Sequence, residues 1–351
     1  MAMSVVSTLP MYINSQFFQH PELPTTDCTG KTIIVTGANV GLGKEAARHF
    51  VRLKAAKVII ACRTVSKGEA ARTDIEATTK QSGVVEVWHL DLEDYDSIRK
   101  FVQRAENLDR LDVVLENAGV QATQFKLVNG YETHISINVI STFLLGLLIL
   151  PKLQESALKF GIRPTLTIVA SDTHYFAPFT ERRADNIFAA FNKSMPDMMN
   201  RYSTSKLLEI FVVREIAKRV PVNKLQVTVN CVNPGYCHSQ LERENSSRIV
   251  AIAKKIIART TEVGARTLVD ASLKGPVSHG KYLHDCRERK CASIVEGEGG
   301  SQLQARVWSE LSAELEKIQP GVTAPVEPLV RAFLITLSSL FIIVSSVQQV
   351  L

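Results

Sequence analysis

Six short apolar runs, set apart by longer amphipathic stretches, constrain this chain more than anything else in its sequence. From Lys31 onward they read KTIIVTG (31–37), KVIIACR (57–63), VVEVWHLDL (84–92), LDVVLENAG (111–119), PTLTIVAS (164–171) and KLQVTVNCVNPG (224–235). Most are near-continuous rather than alternating, as strands covered on both faces must be. Helical patterns fill the intervals over 43–54, 66–78, 94–106, 130–160 and 201–220, and 301–318 reads as one more amphipathic helix. Strand followed by helix, repeated, gives parallel pairing with right-handed crossovers. The expected fold is α/β, a doubly wound parallel sheet in a single domain spanning residues 30–320.

The flanks read differently. Residues 1–29, with Pro10, Pro21 and Pro24, form an extended N-terminal arm; without Lys or Arg before Lys31 they match neither a secretory signal nor a transit peptide. Residues 321–331, with Pro325 and Pro328, read as a linker. Residues 332–351 (AFLITLSSLFIIVSSVQQVL) carry no charge. Twenty helical residues at about 1.5 Å each just span a bilayer core of about 30 Å. The serines and glutamines within the tail dilute that signal, so a docking helix over a subunit or substrate surface is the competing reading. The expectation is a cytoplasmic protein, with this tail as the only candidate membrane tether.

Composition removes other classes. A net charge of +6 over 351 residues is mild and dispersed, without the basic stripe and interleaved aromatics of a nucleic-acid binder. Six cysteines are too few for a disulfide scaffold in a chain this long. His279, His284, Cys286 and Cys291 cluster but lack the spacing of a metal site, and no metal is expected.

The chemistry begins at Thr36-Gly37-Ala38-Asn39-Val40-Gly41-Leu42-Gly43, which follows the first strand and opens the first helix, with Lys44 just behind. Glycines let a backbone turn sharply against a pyrophosphate, and a helix N-terminus offers free N–H groups and a positive dipole end. The spacing is G-x-x-x-G-x-G rather than G-x-G-x-x-G, yet its place between strand and helix marks a Rossmann-type dinucleotide turn. Where a carboxylate would bind the ribose hydroxyls of NAD, the second strand ends in Arg63, with Lys67 close behind. A guanidinium there can hold a 2′-phosphate, so NADP(H) is the expected cofactor; an Arg merely exposed at a strand end is the alternative. Asp91, ending the third strand, suits either the adenine amino group or a helix cap.

Tyr202 and Lys206 stand at i and i+4, on one face of the 201–220 helix. An ammonium beside a phenol favours phenolate and makes it a workable acid–base near neutral pH. Ser171 ends the fifth apolar run and Asn117-Ala118-Gly119 the fourth, both at the carboxyl edge where open α/β sheets bind ligands.

Together these motifs, over roughly residues 28–320, resemble the short-chain dehydrogenase/reductase superfamily, in particular its retinol-dehydrogenase-like and WW-domain-oxidoreductase-like branch with many fungal secondary-metabolism members. The resemblance implies that Thr36, Gly37, Gly41 and Gly43 form the cofactor turn and that Asn117, Ala118 and Gly119 brace the sheet and line the adenosine side. It implies that Asn138 joins a proton relay, that Ser171 orients the substrate oxygen, and that Tyr202 is the acid–base with Lys206 as its partner, which also binds the nicotinamide ribose. Pro234, Gly235 and Ser239 match the segment closing over the nicotinamide. Departures are Val40, Glu116, Ala170 and Ser239, none of which removes a catalytic group. The implied partner is a lipophilic carbonyl or alcohol, with homo-oligomerisation a family habit. A non-catalytic NADP(H) sensor of the same fold is the other reading, disfavoured because Ser171, Tyr202 and Lys206 are all present. Phe176, Phe179, Phe188, Phe191, Met195, Met198 and Met199 suit either an apolar substrate wall or ordinary core. His174 fits a pocket lining or a surface loop.

Overall fold

The computed structural model describes residues 14–16, 18–192, 197–238 and 258–327. Ser239, Met195 and the 332–351 tail lie outside the described residues. Eight strands form the main sheet: β1 Thr32–Thr36, β2 Lys57–Cys62, β3 Val85–His89, β4 Val113–Glu116, β5 Thr165–Val169, β6 Thr228–Asn233, β7 Tyr282–His284 and β8 Arg287–Glu288. Their order is β8-β7-β6-β5-β4-β1-β2-β3, all pairs parallel except β7–β8. All residues of β1, β4, β5 and β6 are buried, whereas β3 at one edge mixes buried Val85 and Trp88 with an exposed His89. The near-continuous apolar runs therefore mark strands that are covered on both faces.

Successive side chains of one strand feed opposite cores. Ile34, Ile59 and Val114 join the layer with helices α3 (Tyr95–Glu106), α4 (Thr142–Phe160), α5 (Met198–Arg219) and α7 (Gly300–Ile318). Ile33, Val35, Val58, Ile60, Val113 and Leu115 join the layer with α1 (Gly41–Arg52), α2 (Val65–Thr79) and α6 (Thr261–Leu273). The crossovers wind both ways from β1, so the carboxyl ends of β1 and β4 lie side by side at the point where the winding reverses.

Several details, helix α6 among them, depart from the sequence expectation. The 130–160 segment is not one helix: Tyr131–Glu132 pairs antiparallel with Leu127–Val128. The link between them is Asn129-Gly130, at φ +53° and +81°, the residue pair that a two-residue type I′ hairpin turn favours. A π-helical segment, Ile135–Ser141, then leads into α4. The combined Ile135–Phe160 helix is long and apolar enough to cross a membrane, but 89% of its most apolar stretch is buried within the protein, which makes it a core helix. Residues 321–327 do not form a free linker: Val322 and Val326 are buried in the core and Glu327 pairs with Arg219.

The described part of the arm, residues 14–16 and 18–29, lies on the domain. Cys28 is buried and donates its N–H to Leu53 O, and Thr29 bridges to Ala55. Further out, the Gln16 side-chain amide donates to Tyr236 O (2.9 Å) and accepts from Tyr236 N (3.3 Å), while Arg259 donates to Ser15 O.

Candidate active site

The glycine turn is shaped by contact with β4's exit. Gly37 (φ +66°) and Gly41 (φ +61°) hold left-handed conformations. A Cβ on Gly43 would lie 2.5 Å from Asn117 Nδ2 and 2.9 Å from Gly37 O. Asn117 Nδ2 in turn donates to Thr36 O (2.9 Å), and the Ala118 N–H donates to Thr36 Oγ1 (2.9 Å). Thr36, Gly37, Gly43, Asn117 and Ala118 thus interlock. Around Gly41 a Cβ would meet nothing within 4 Å, and no side chain caps the start of α1 at Val40. Open space in front of uncapped helix N–H groups is what a pyrophosphate requires, so these residues fit a dinucleotide. Asn39 and Leu42 are half-buried within the same turn.

The more distant cofactor candidates are dispersed. Arg63 is 64% exposed and pairs with Glu93 at 2.8 Å, and Lys67 is exposed in the first turn of α2. An exposed ion pair of this kind is worth under about 1 kcal/mol, so a phosphate can recruit the guanidinium. Lys44 points elsewhere, pairing with Asp74 of α2 at 2.8 Å. Asp91 does not cap α3: that cap is Asp94, which accepts from Asp96 N, while Asp91 Oδ1 accepts from Glu93 N (3.0 Å). Pro234 and Gly235 (φ +79°) follow β6.

The catalytic candidates converge at the carboxyl ends of β4 and β5. Lys206 Nζ donates to Val169 O, the last residue of β5, at 2.8 Å, and sits 5.9 Å from the Tyr202 ring centre. Two residues beyond Val169, Ser171 accepts from Thr173 N (3.2 Å) and donates to Asp172 Oδ1 (3.3 Å). Asn138 lies in the π-helical segment. It accepts from Val120 N (2.8 Å) and donates to Val120 O and Ser205 Oγ, both at 3.0 Å, tying α4, α5 and the strand exit together. A Cβ on Gly119 would lie 3.2 Å from Asn138 Oδ1 and 3.7 Å from Lys206 Nζ. Ser171, Tyr202 and Lys206 are each 9% exposed or less.

His174 is neither a pocket lining nor a surface residue. It is fully buried, with Nδ1 donating to Ser171 O (2.7 Å) and Nε2 accepting from Ala292 N (3.2 Å). The bond accepted at Nε2 needs the neutral ring, and burial pushes its pKa down to about 4. The unfolded chain binds this proton more tightly, so the contribution to stability is full above about pH 6.5 and is lost as pH falls towards 4. The loss amounts to roughly 3 kcal/mol. Denaturant titrations from pH 7 to pH 4 should show that slope, and His174→Asn should flatten it; an unchanged slope would disprove the assignment.

Of the aromatic stretch, Phe179, Phe188 and Phe191 are core. Phe176 and Met199 remain largely exposed and Met198 half-buried. Glu209 was not singled out from the sequence: it pairs with Lys206 at 2.8 Å. Its only local signal is a carboxylate three positions beyond the lysine on one helix face.

A glycine turn at the winding reversal, with a Tyr–Lys pair and a serine at the neighbouring strand ends, defines a dinucleotide-dependent oxidoreductase. A family model described as short chain dehydrogenase matches residues 31–158. A short chain dehydrogenase/reductase of Cryptosporiopsis sp. (strain 8999) is 46% identical over 323 residues, covering 89% of this chain and 99% of that protein. The chain belongs to the short-chain dehydrogenase/reductase family, whose members are oxidoreductases that use a nicotinamide cofactor. Among solved structures, a putative uncharacterized protein from Mycobacterium paratuberculosis aligns with a TM-score of 0.63 at 24% identity, covering 84% of this chain and 96% of that one. A 3-oxoacyl (acyl-carrier-protein) reductase from Agrobacterium tumefaciens C58 with NADP bound aligns with a TM-score of 0.56 at 17% identity, covering 74% and 93%. At these identities the two structures speak for the fold.

Proposed function

We propose that this protein is an NADP(H)-dependent oxidoreductase that interconverts a carbonyl and an alcohol on a lipophilic small molecule, in a secondary-metabolite pathway. The observation that carries the reading is Lys206, on the same helix face as Tyr202, anchored to Val169 O at the end of β5, two residues before Ser171. The cofactor supplies the hydride when bound; its pyrophosphate would lie on the turn 37–43 and its 2′-phosphate against Arg63 and Lys67. Ser171 holds the substrate oxygen by hydrogen bond. Tyr202 moves a proton between its hydroxyl and that oxygen. Lys206, cationic beside it, stabilises the phenolate left behind. Asn138, fixed by three hydrogen bonds, keeps the exit of β4 at the right distance from Lys206. The exposed Phe176 and Met199 favour an apolar substrate.

The test is oxidation of NADPH against NADH over a panel of lipophilic ketones and aldehydes. Turnover with NADPH should dominate, and Arg63→Asp should cost NADPH ten- to a hundredfold in kcat/KM, the scale of one charge-assisted contact of about 1.5–3 kcal/mol. Equal use of both cofactors by the wild type would refute the specificity, and absence of turnover on every panel member would refute the activity.

A further inference from the structure

Behind Lys206 the fold buries more negative charge than it neutralises. Lys206 donates to Glu209 Oε1 at 2.8 Å, both side chains being almost fully buried. Among the described residues Glu209 Oε2 has no hydrogen-bond partner, and neither does Oε1 of Glu116, the last residue of β4, which is 3% exposed. Glu116 faces the same layer: a Cβ on Gly146 of α4 would lie 3.1 Å from its Oε1, so a glycine opposite makes room for this carboxyl. One ammonium against two carboxylates would leave a full uncompensated charge in the core, which folded proteins avoid by keeping a proton. Among the described residues Glu209 has the cation at contact distance and Glu116 pairs with none, which decides which of them stays neutral.

Resting on the oxidoreductase reading above, we propose that Glu116 and Glu209 act as a buried acid–carboxylate couple, Glu116 protonated and Glu209 ionised against Lys206, that sets how much of the lysine's charge reaches Tyr202. Both are positioning residues, acting on the acid–base only through Lys206. Burial first, and the Glu209 charge second, raise the Glu116 carboxyl well above the usual range. Burial pushes Glu209 up to about 7 against the pull of Lys206, so it is ionised throughout the alkaline range in which a phenol titrates. The other groups facing the couple do not take over this role. The Cys231 thiol of β6 is raised by burial first, then by Cys291 and Glu209, with Arg214 opposing, and it stays neutral. On the far side, Tyr202 faces the His134 ring at 6.0 Å, and His134 is itself bonded to Glu132 at 2.9 Å.

Removing a negative charge makes every neighbouring group easier to deprotonate, so the coupled Tyr202–Lys206 titration must move down in pH when Glu209 is neutralised. The measurement is tyrosinate absorbance against pH, with the Tyr202→Phe protein subtracted to isolate residue 202. Glu209→Gln should lower the midpoint by about one pH unit, while Glu116→Gln, which replaces a neutral acid by a neutral amide, should leave it in place. Infrared difference spectra of wild type minus Glu116→Gln at neutral pH should show a protonated-carboxyl carbonyl band. Should Glu209→Gln fail to fold, Glu209→Met, of similar volume and needing no polar partner, takes its place. A missing band, an unmoved midpoint in the Glu209 variant, or an equal shift in the Glu116 variant would each overturn the proposal. None of these readouts uses a substrate, so a failure of the proposed activity appears separately, as absent turnover with the midpoint shift and band still present.

Discussion

Tyr202→Phe is expected to lower kcat for carbonyl reduction by about 10²–10⁴, the usual worth of a positioned proton donor. The substitution removes one oxygen from a ring that is 8% exposed and leaves its packing volume in place. The helix that carries it keeps its own supports: Asp197 caps α5 by accepting from Met199 N and Asn200 N, and Lys206 still reaches Val169 O. The loss should therefore fall on turnover, with NADPH affinity and melting temperature close to wild type. Single-turnover oxidation of bound NADPH separates the two. A phenylalanine variant that reduced the substrate at the wild-type rate would remove Tyr202 from the chemistry, and a collapsed melting temperature would mean that the comparison measures folding.

Gly43→Ala should be strongly damaging at the cofactor turn although it adds only one methyl group. Two effects oppose each other here. Alanine is favoured over glycine in a helix by about 1 kcal/mol. Against that, the added Cβ would stand 2.5 Å from Asn117 Nδ2, 2.9 Å from Gly37 O and 3.0 Å from Ala38 Cα. Two of those three atoms are backbone of the turn itself and cannot swing aside. Overpacking of this kind costs about 1–3 kcal/mol, and it displaces the groups meant to meet a pyrophosphate. The clash wins: NADPH affinity should fall at least tenfold, and NADPH should no longer raise the melting temperature as it does for the wild type. Gly41→Ala carries a different fault: the left-handed penalty of about 1–2 kcal/mol, with its methyl group in the space a pyrophosphate needs and no clash inside the protein. If Gly43→Ala bound NADPH as tightly as the wild type, the close approach of Gly43 to Asn117 would have no part in shaping the site.

The sheet was legible because residues such as Ile33 and Ile34 both had to be apolar: one feeds each core, and only a doubly covered strand needs that. The glycine turn, Ser171, Tyr202 and Lys206 were legible because each sits at a strand end or on one helix turn, where local spacing already fixes the geometry. What escaped had its cause elsewhere in the chain. Tyr131 and Glu132 lead directly into a helical pattern, but Asn129-Gly130 turns them back into a hairpin, and the turn pair outweighed the periodicity. Helix α6 was hidden by its own Gly264, whose missing side chain admits Cys237 and Leu42, so a residue that argues locally against helix is there for packing. His174 read as a pocket lining or a surface loop, because Ala292, 118 positions away, supplies the second hydrogen bond that fixes it in the core. Glu116 stood out as a departure from the family pattern and Glu209 did not, since no local rule says that a helix position and a strand end will both be buried behind one lysine.

The π-helical turn at 135–141 has a further consequence. A π turn holds one residue more than the α-helix it interrupts, and each residue of an α-helix advances the side chains by about 100°. Excising a single residue between Ile135 and Asn138 would let the segment relax into ordinary helix with most of its backbone bonds intact, while Asn138 swung out of line with Val120 and Ser205. The supernumerary residue thus works as a spacer that sets the phase between the helix and the pocket, so length in this stretch should be harder to vary than side-chain identity.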